Sequence, residues 1–151
     1  MLSLIHKHII PAAFSLLPAK MNSSEAIQMM LTIGLQESGF THRRQEKGPA
    51  RGFWQFEITG AAEVMRHPST AEYAKDVLNE LQYGFLPPAG VLSLLEDNDV
   101  LAACWARLAL WRHPDPLTDI ASDMWFIYDE IWRPGKPRPD AWQGNWDRAL
   151  S

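Results

Sequence analysis

The chain has 151 residues, enough for one domain with a genuine core, and 46% of them are hydrophobic, which excludes a disordered chain. Its formal net charge of −4 argues against general nucleic-acid binding, which needs a basic face. A single cysteine, Cys104, excludes an internal disulfide framework; among Leu101, Ala102, Ala103 and Trp105 it reads as a small buried hydrophobe, with no basic partner to activate it.

Residues 1–20 carry apolar patches interrupted by His6, Lys7 and His8 and followed by Pro11 and Pro18. A secretory signal needs an unbroken apolar core, so this stretch is expected to be an N-terminal helix docked on the domain, with no signal peptide. No apolar run reaches the length of a membrane span, so no stable membrane insertion is expected. Asn22 to Glu25 reads as a capping box opening a helix to about Ser38, with Ile27, Met30, Leu31, Gly34 and Leu35 as its buried stripe and Gly39 as its stop. Residues 40–52 are polar and contain Gly48, Pro49 and Gly52, the pattern of a loop or short hairpin.

Thr59 is placed to cap a short helix ending before Pro68. Ser69 to Glu72 is a second capping box, for a helix closed by Gly84. Pro87-Pro88 marks a turn, and 91–95 and 99–111 are helical in composition. Asp115-Pro116 reads as N-cap and first position of a further helix whose stripe is Ile120, Met124, Ile127, Tyr128 and Ile131. Residues 133–140 hold three prolines and are expected to lie extended, so 133–151 is read as an extended C-terminal segment with a last short helix over 141–150. No repeat and no alternating strand pattern occurs, so the expected class is mainly α, a single domain over 1–151.

Two elements carry chemistry. Glu37 follows Met30 and Ile33 on one helix face, at the edge of the apolar stripe and near a helix C-terminus. Apolar neighbours and the helix dipole both raise a carboxyl pKa there, which suits a general acid, although a solvated helix-end glutamate has the same spacing. Gly52-Phe53-Trp54-Gln55 offers flat rings that can stack on a pyranose and an amide that can bond it; adjacent aromatics equally serve a core. The chain carries seven tryptophans, each readable as core or as groove lining. Arg43, Arg44, Lys47 and Arg51 form a basic cluster beside this turn, read either as a solvated loop or as an attractor of an anionic polymer. The five histidines are scattered, with no helical pair and no Cys/His set, so no metal and no other cofactor is expected.

Taken in order, Ile33-Gly34-Leu35-Gln36-Glu37-Ser38-Gly39-Phe40 and Gly52-Phe53-Trp54-Gln55 resemble the soluble lytic transglycosylases, in which a Glu-Ser pair closes a helix and a Gly-Leu-Met-Gln-like turn follows. The resemblance covers about residues 25–62, and it implies the goose-type lysozyme-like helical fold. It further implies that Glu37 is the catalytic acid/base, that Ser38 orients it, and that Gly52, Phe53, Trp54 and Gln55 form the substrate-binding turn. The family's third motif, Ala-Tyr-Asn-like, has its nearest counterpart at 102–106; this makes Trp105 a substrate-binding candidate, but the Tyr and Asn are absent. The family's late tyrosine near the catalytic glutamate corresponds to Tyr128.

The compact size and Trp132-Arg133-Pro134-Gly135-Lys136-Pro137 look similar to phage-encoded members. The resemblance therefore implies a peptidoglycan lytic transglycosylase that cleaves the MurNAc–GlcNAc β-1,4 bond and leaves 1,6-anhydro-MurNAc ends. Its partners would be peptidoglycan glycan strands and other phage virion proteins, and its place the virion or the host periplasm and cell wall. Two alternatives stay open: a hydrolytic lysozyme in which Glu46 or Glu57 assists, and a non-catalytic glycan-binding or virion structural module.

Overall fold

Helices account for all the regular structure of residues 1–151 in the computed structural model, and the only β-type pairing is two isolated bridges, Arg44 with Arg51 and Arg51 with Phe56. The 40–52 segment is thus an irregular loop. No helix is long and apolar enough to cross a membrane.

The chain opens with α1 (Leu2–Leu4), a π-helical turn (Ile5–Ile9) and α2 (Ile10–Ser15), wound without a break. Pro11 has no N–H to continue an α ladder, and the chain is wound wider just before it. Ile5, Ile10, Ala13 and Phe14 are buried, so this rod is docked on the domain as its apolar patches require.

Next come α3 (Ser24–Glu37), α4 (Ile58–Arg66), α5 (Ala71–Glu80), α6 (Pro88–Asp97), α7 (Asp99–Trp111), α8 (Ala121–Trp132) and α9 (Pro139–Ala149). Helix α7 is the axis. All of Leu101 to Leu110 is buried, including Arg107, whose Nε donates to the Met21 carbonyl at 2.8 Å, and α2, α3, α4, α5, α6 and α8 all pack on this helix. Helix α9 lies along α3 and touches α8.

Several tryptophans staple these helices. An indole has one donor, which must be bonded when buried. Trp54 donates to the Met30 carbonyl at 2.8 Å, Trp105 to Ala61 at 3.2 Å, Trp132 to Trp54 at 2.8 Å and Trp142 to Ala121 at 2.7 Å, each joining two separate segments.

Several sequence expectations shift. Thr59 lies inside α4, which opens at Ile58 behind Glu57, and α5 opens at Ala71 behind Thr70 with no capping box at Ser69 and ends at Glu80, short of Gly84. Ser23, not Asn22, caps α3, accepting from the Ala26 N–H at 3.0 Å. Asp115-Pro116 starts no helix: His113 reaches Glu130 and also accepts the Asp115 N–H, and Thr118 accepts the Ile120 N–H, so local side-chain bonds hold a loop until Ala121 can bury. The last helix, expected over 141–150, begins two residues earlier at Pro139, so less of the C-terminal segment is extended; it runs to Ala149 and buries Trp142 and Trp146.

Candidate active site

Helix α3 stops at Glu37 because the Ser38 and Gly39 N–H groups turn back onto the Gly34 and Leu35 carbonyls. Ser38 is buried. Its hydroxyl donates to the Phe53 carbonyl at 2.7 Å and accepts from the Phe40 N–H at 3.1 Å. This bond fastens the helix end to the 52–55 turn, which is why the two sequence elements work as one unit. Gly52 has φ +79°, and a Cβ there would stand 2.5 Å from the Leu95 carbonyl oxygen of α6, so the turn is pressed against that helix. The turn closes through the Gln55 N–H and side-chain amide, which donate to the Gly52 carbonyl at 2.9 and 2.8 Å.

Glu37 opens onto a cleft of about 610 Å³. Gln55, Glu57, Tyr128, Trp132 and Arg138 line it with Glu37, together with His42 and the 133–136 segment. The Tyr128 hydroxyl donates to Glu37 Oε2. The Tyr128 ring is held between Trp142, 5.0 Å away at 19°, and Trp132, 6.2 Å away at 29°, so its hydroxyl has little freedom. Arg138 donates to the Gln36 carbonyl, while Gln36 donates to the Arg138 carbonyl at 2.9 Å and accepts from Asn145 at 2.7 Å. The C-terminal wall is thereby clamped to α3 one residue from Glu37.

Burial holds the Glu37 carboxyl above the usual glutamate range. The Tyr128 hydrogen bond and the Arg138 charge oppose this, and the Glu57 charge adds to it. Burial, reinforced by the neighbouring Glu37 charge and hydrogen bond, also raises the Tyr128 hydroxyl, which therefore stays a donor. The result is a partly dry carboxyl with a fixed hydrogen-bond donor on one oxygen, facing an open polar cleft. Such a group holds its proton more readily than an exposed glutamate and can release it to a bound ligand.

Some expected site residues lie elsewhere. Phe53, Trp54 and Trp105 are fully enclosed, with 1%, 0% and 0% of their surface exposed, so none can stack on a sugar. Phe53 is capped by the Arg43 guanidinium, 4.2 Å from the ring centre, and Trp54 packs edge-on against Phe40. Trp105 belongs to the axial helix α7, where the spacing of the third motif is core spacing. Ser38 and Gly52 shape the turn from behind instead of meeting the ligand. The arginines of the basic cluster are engaged: Arg43 binds Asp99 at 2.9 Å, and Arg44 and Arg51 share Glu96 at 2.9 and 3.2 Å, while Lys47 makes no ion pair.

Glu37, Gln55 and Tyr128 do share the cleft. Glu57 shares it too, whereas Glu46 sits exposed in the 40–52 loop outside the lining. Trp132 and Arg138 form the far wall. Trp132 was legible only as one of several tryptophans of open role, and nothing local to Arg138 marks it as a neighbour of Glu37.

No family model matches the chain, and no curated protein or solved structure does either. The functional reading therefore stands on the geometry and chemistry of the cleft. No group of three or more His, Cys, Asp or Glu side chains is arranged to hold a metal ion.

Proposed function

We propose that the protein is a peptidoglycan lytic transglycosylase of lysozyme-like fold, with Glu37 as its single acid/base. The observation that carries this reading is the Glu37 carboxyl: half-buried, bonded by Tyr128, and open to a cleft that Gln55 also lines. Protonated Glu37 gives its proton to the glycosidic oxygen between MurNAc and GlcNAc. The C1–O bond breaks through an oxocarbenium-like state, assisted by the acetamido oxygen of the same sugar. Glu37, now a carboxylate held by Tyr128, removes the proton from the C6 hydroxyl. That oxygen closes on C1, giving a 1,6-anhydro end and consuming no water. Trp132, which lines the cleft, is the available apolar contact, and Gln55 the available amide. Action from a phage virion or in the host periplasm belongs to the same proposal.

One observation favours a second reading. Glu57 lines the same cleft and its charge reaches Glu37, so it could position a water for hydrolysis. Mass spectrometry of digested peptidoglycan separates the two, with anhydro ends expected and hydrated reducing ends overturning the transglycosylase. Glu37→Gln keeps the shape and removes the acid. It should cut lysis by about a thousandfold or more; undiminished lysis would leave only a binding or structural module.

A further inference from the structure

The most exposed large apolar side chain of the molecule is Phe85, with 92% of its surface open to solvent. The turn that carries it is tied down. The Tyr83 N–H donates back to the Leu78 carbonyl at 2.9 Å, and the Tyr83 hydroxyl accepts from Asn98 Nδ2 at 3.0 Å. Left-handed backbone at Gln82 and Gly84, both with φ +66°, makes the turn that presents the ring. Beside it lies a cavity of about 310 Å³, which Phe85 borders together with Met65, Ala74, Leu78 and Leu86. An apolar cavity of about 150 Å³ already takes a benzene ring. One face thus carries both a projecting ring and a hollow that fits a ring.

The charges of this face point to the occupant. The chain carries −4, so two copies repel over most of their surfaces. The lining of this cavity holds one acid and one base, Glu72 and Lys75, three positions apart on α5 and both without an ion pair in the chain. A two-fold axis passing between them brings Glu72 of each copy against Lys75 of the other, twice over. Phe126, 64% exposed, offers no such match: its cavity is bordered by Asp115, Asp123 and Glu130, which a second copy of the same face would meet as like charges.

We propose that the Phe85 face is a two-fold self-association surface, with the Phe85 ring of each copy seated in the cavity of the other and Glu72 paired with Lys75 across the axis. The cavity shares no residue with the Glu37 cleft, and the proposal does not depend on what Glu37 does. The two rings remove about 300–500 Å² from water. With the walls they meet, this stays below the roughly 1,200–2,000 Å² of a stable interface, so the dimer is weak and belongs to high local concentration.

Sedimentation equilibrium of the whole protein over about 10–500 µM should show the mass rising from one copy towards two. Phe85→Asp, at a position outside the core, should hold it at one copy throughout. Glu72→Lys and Lys75→Glu each place like charges together twice and should weaken association about tenfold or more. Glu72→Lys also reduces the overall negative charge, so general repulsion alone predicts the opposite change. An equimolar mixture of these two variants restores both pairs and should associate as tightly as the parent, a rescue that only a second copy on a two-fold axis can give. A parent that remains one copy at the top of the range overturns the proposal, as does a dimer that Phe85→Asp leaves intact or a mixture no tighter than its parts. Phe85-dependent retention of single copies on neutral phospholipid vesicles would overturn it too, by giving the face to a membrane surface.

Discussion

A carboxyl kept above its usual pKa favours folding in its protonated form. The cost of Glu37 therefore appears as pH rises past the unfolded glutamate value of about 4.3 and is complete once pH exceeds the folded one. Glu37→Gln removes that cost. Melts of the variant should match or exceed the parent at neutral pH, and the gap should close as pH falls towards 4; a variant less stable at neutral pH would mean the carboxylate is a structural partner. Tyr128 acts in the opposite sense, since its hydrogen bond lowers the Glu37 pKa. An acid that must start protonated loses activity as pH rises through its pKa. Tyr128→Phe should therefore move the alkaline limb of the pH–rate profile to higher pH while lowering the maximum rate. An unmoved limb would detach Tyr128 from the proton. Gln55 adds a backbone signature: its φ of +53° lies in the left-handed region, uncommon for a side chain of its kind and found where surroundings over-determine the chain.

At the level of elements, the site depends on how α3 meets the turn at 52–55. Gly52→Ala would put a methyl into the Leu95 carbonyl and strain a positive φ. We expect a loss of about 2 kcal/mol or more in denaturant melts, with activity falling alongside because Gln55 moves with the turn. Gly34 plays a related part on α3, where an added Cβ would lie 2.0 Å from the Phe40 ring; the ring seats directly on the helix backbone and holds the end that carries Glu37. This half of the site was legible, because helix periodicity, the glycine stop and the Gly-aromatic-aromatic-Gln turn are all local signals. The roles of the two rings were not. Trp54 looks the same in sequence whether it faces solvent or donates to Met30, and only the packing of α3, α7 and α8 around it decides. The opposite wall was hidden for a different reason. Tyr128 lies 91 residues from Glu37, and Arg138 reaches Gln36 across 102. The prolines of 133–140 hid it further, by reading as a surface strap although Pro139 begins α9, at a position where proline costs a helix nothing.

Across the whole molecule the two perturbed glutamates pull stability in opposite directions with pH. Glu63 joins α4 to Arg112 at the end of α7 and to Arg133 at the end of α8. Burial acts to raise its pKa, but the hydrogen bonds and charges of Arg133 and Arg112 outweigh it and hold the carboxyl below the usual range. A depressed folded pKa means stability that is present above the unfolded value and lost as pH falls through the folded one. Glu63→Gln should therefore destabilise at neutral pH, by about 2 kcal/mol, because Arg112 is nearly enclosed and loses its counter-charge. The penalty should shrink at acid pH, where the parent has lost the same charge. A penalty of the same size at pH 4 as at pH 7 would detach it from the Glu63 charge.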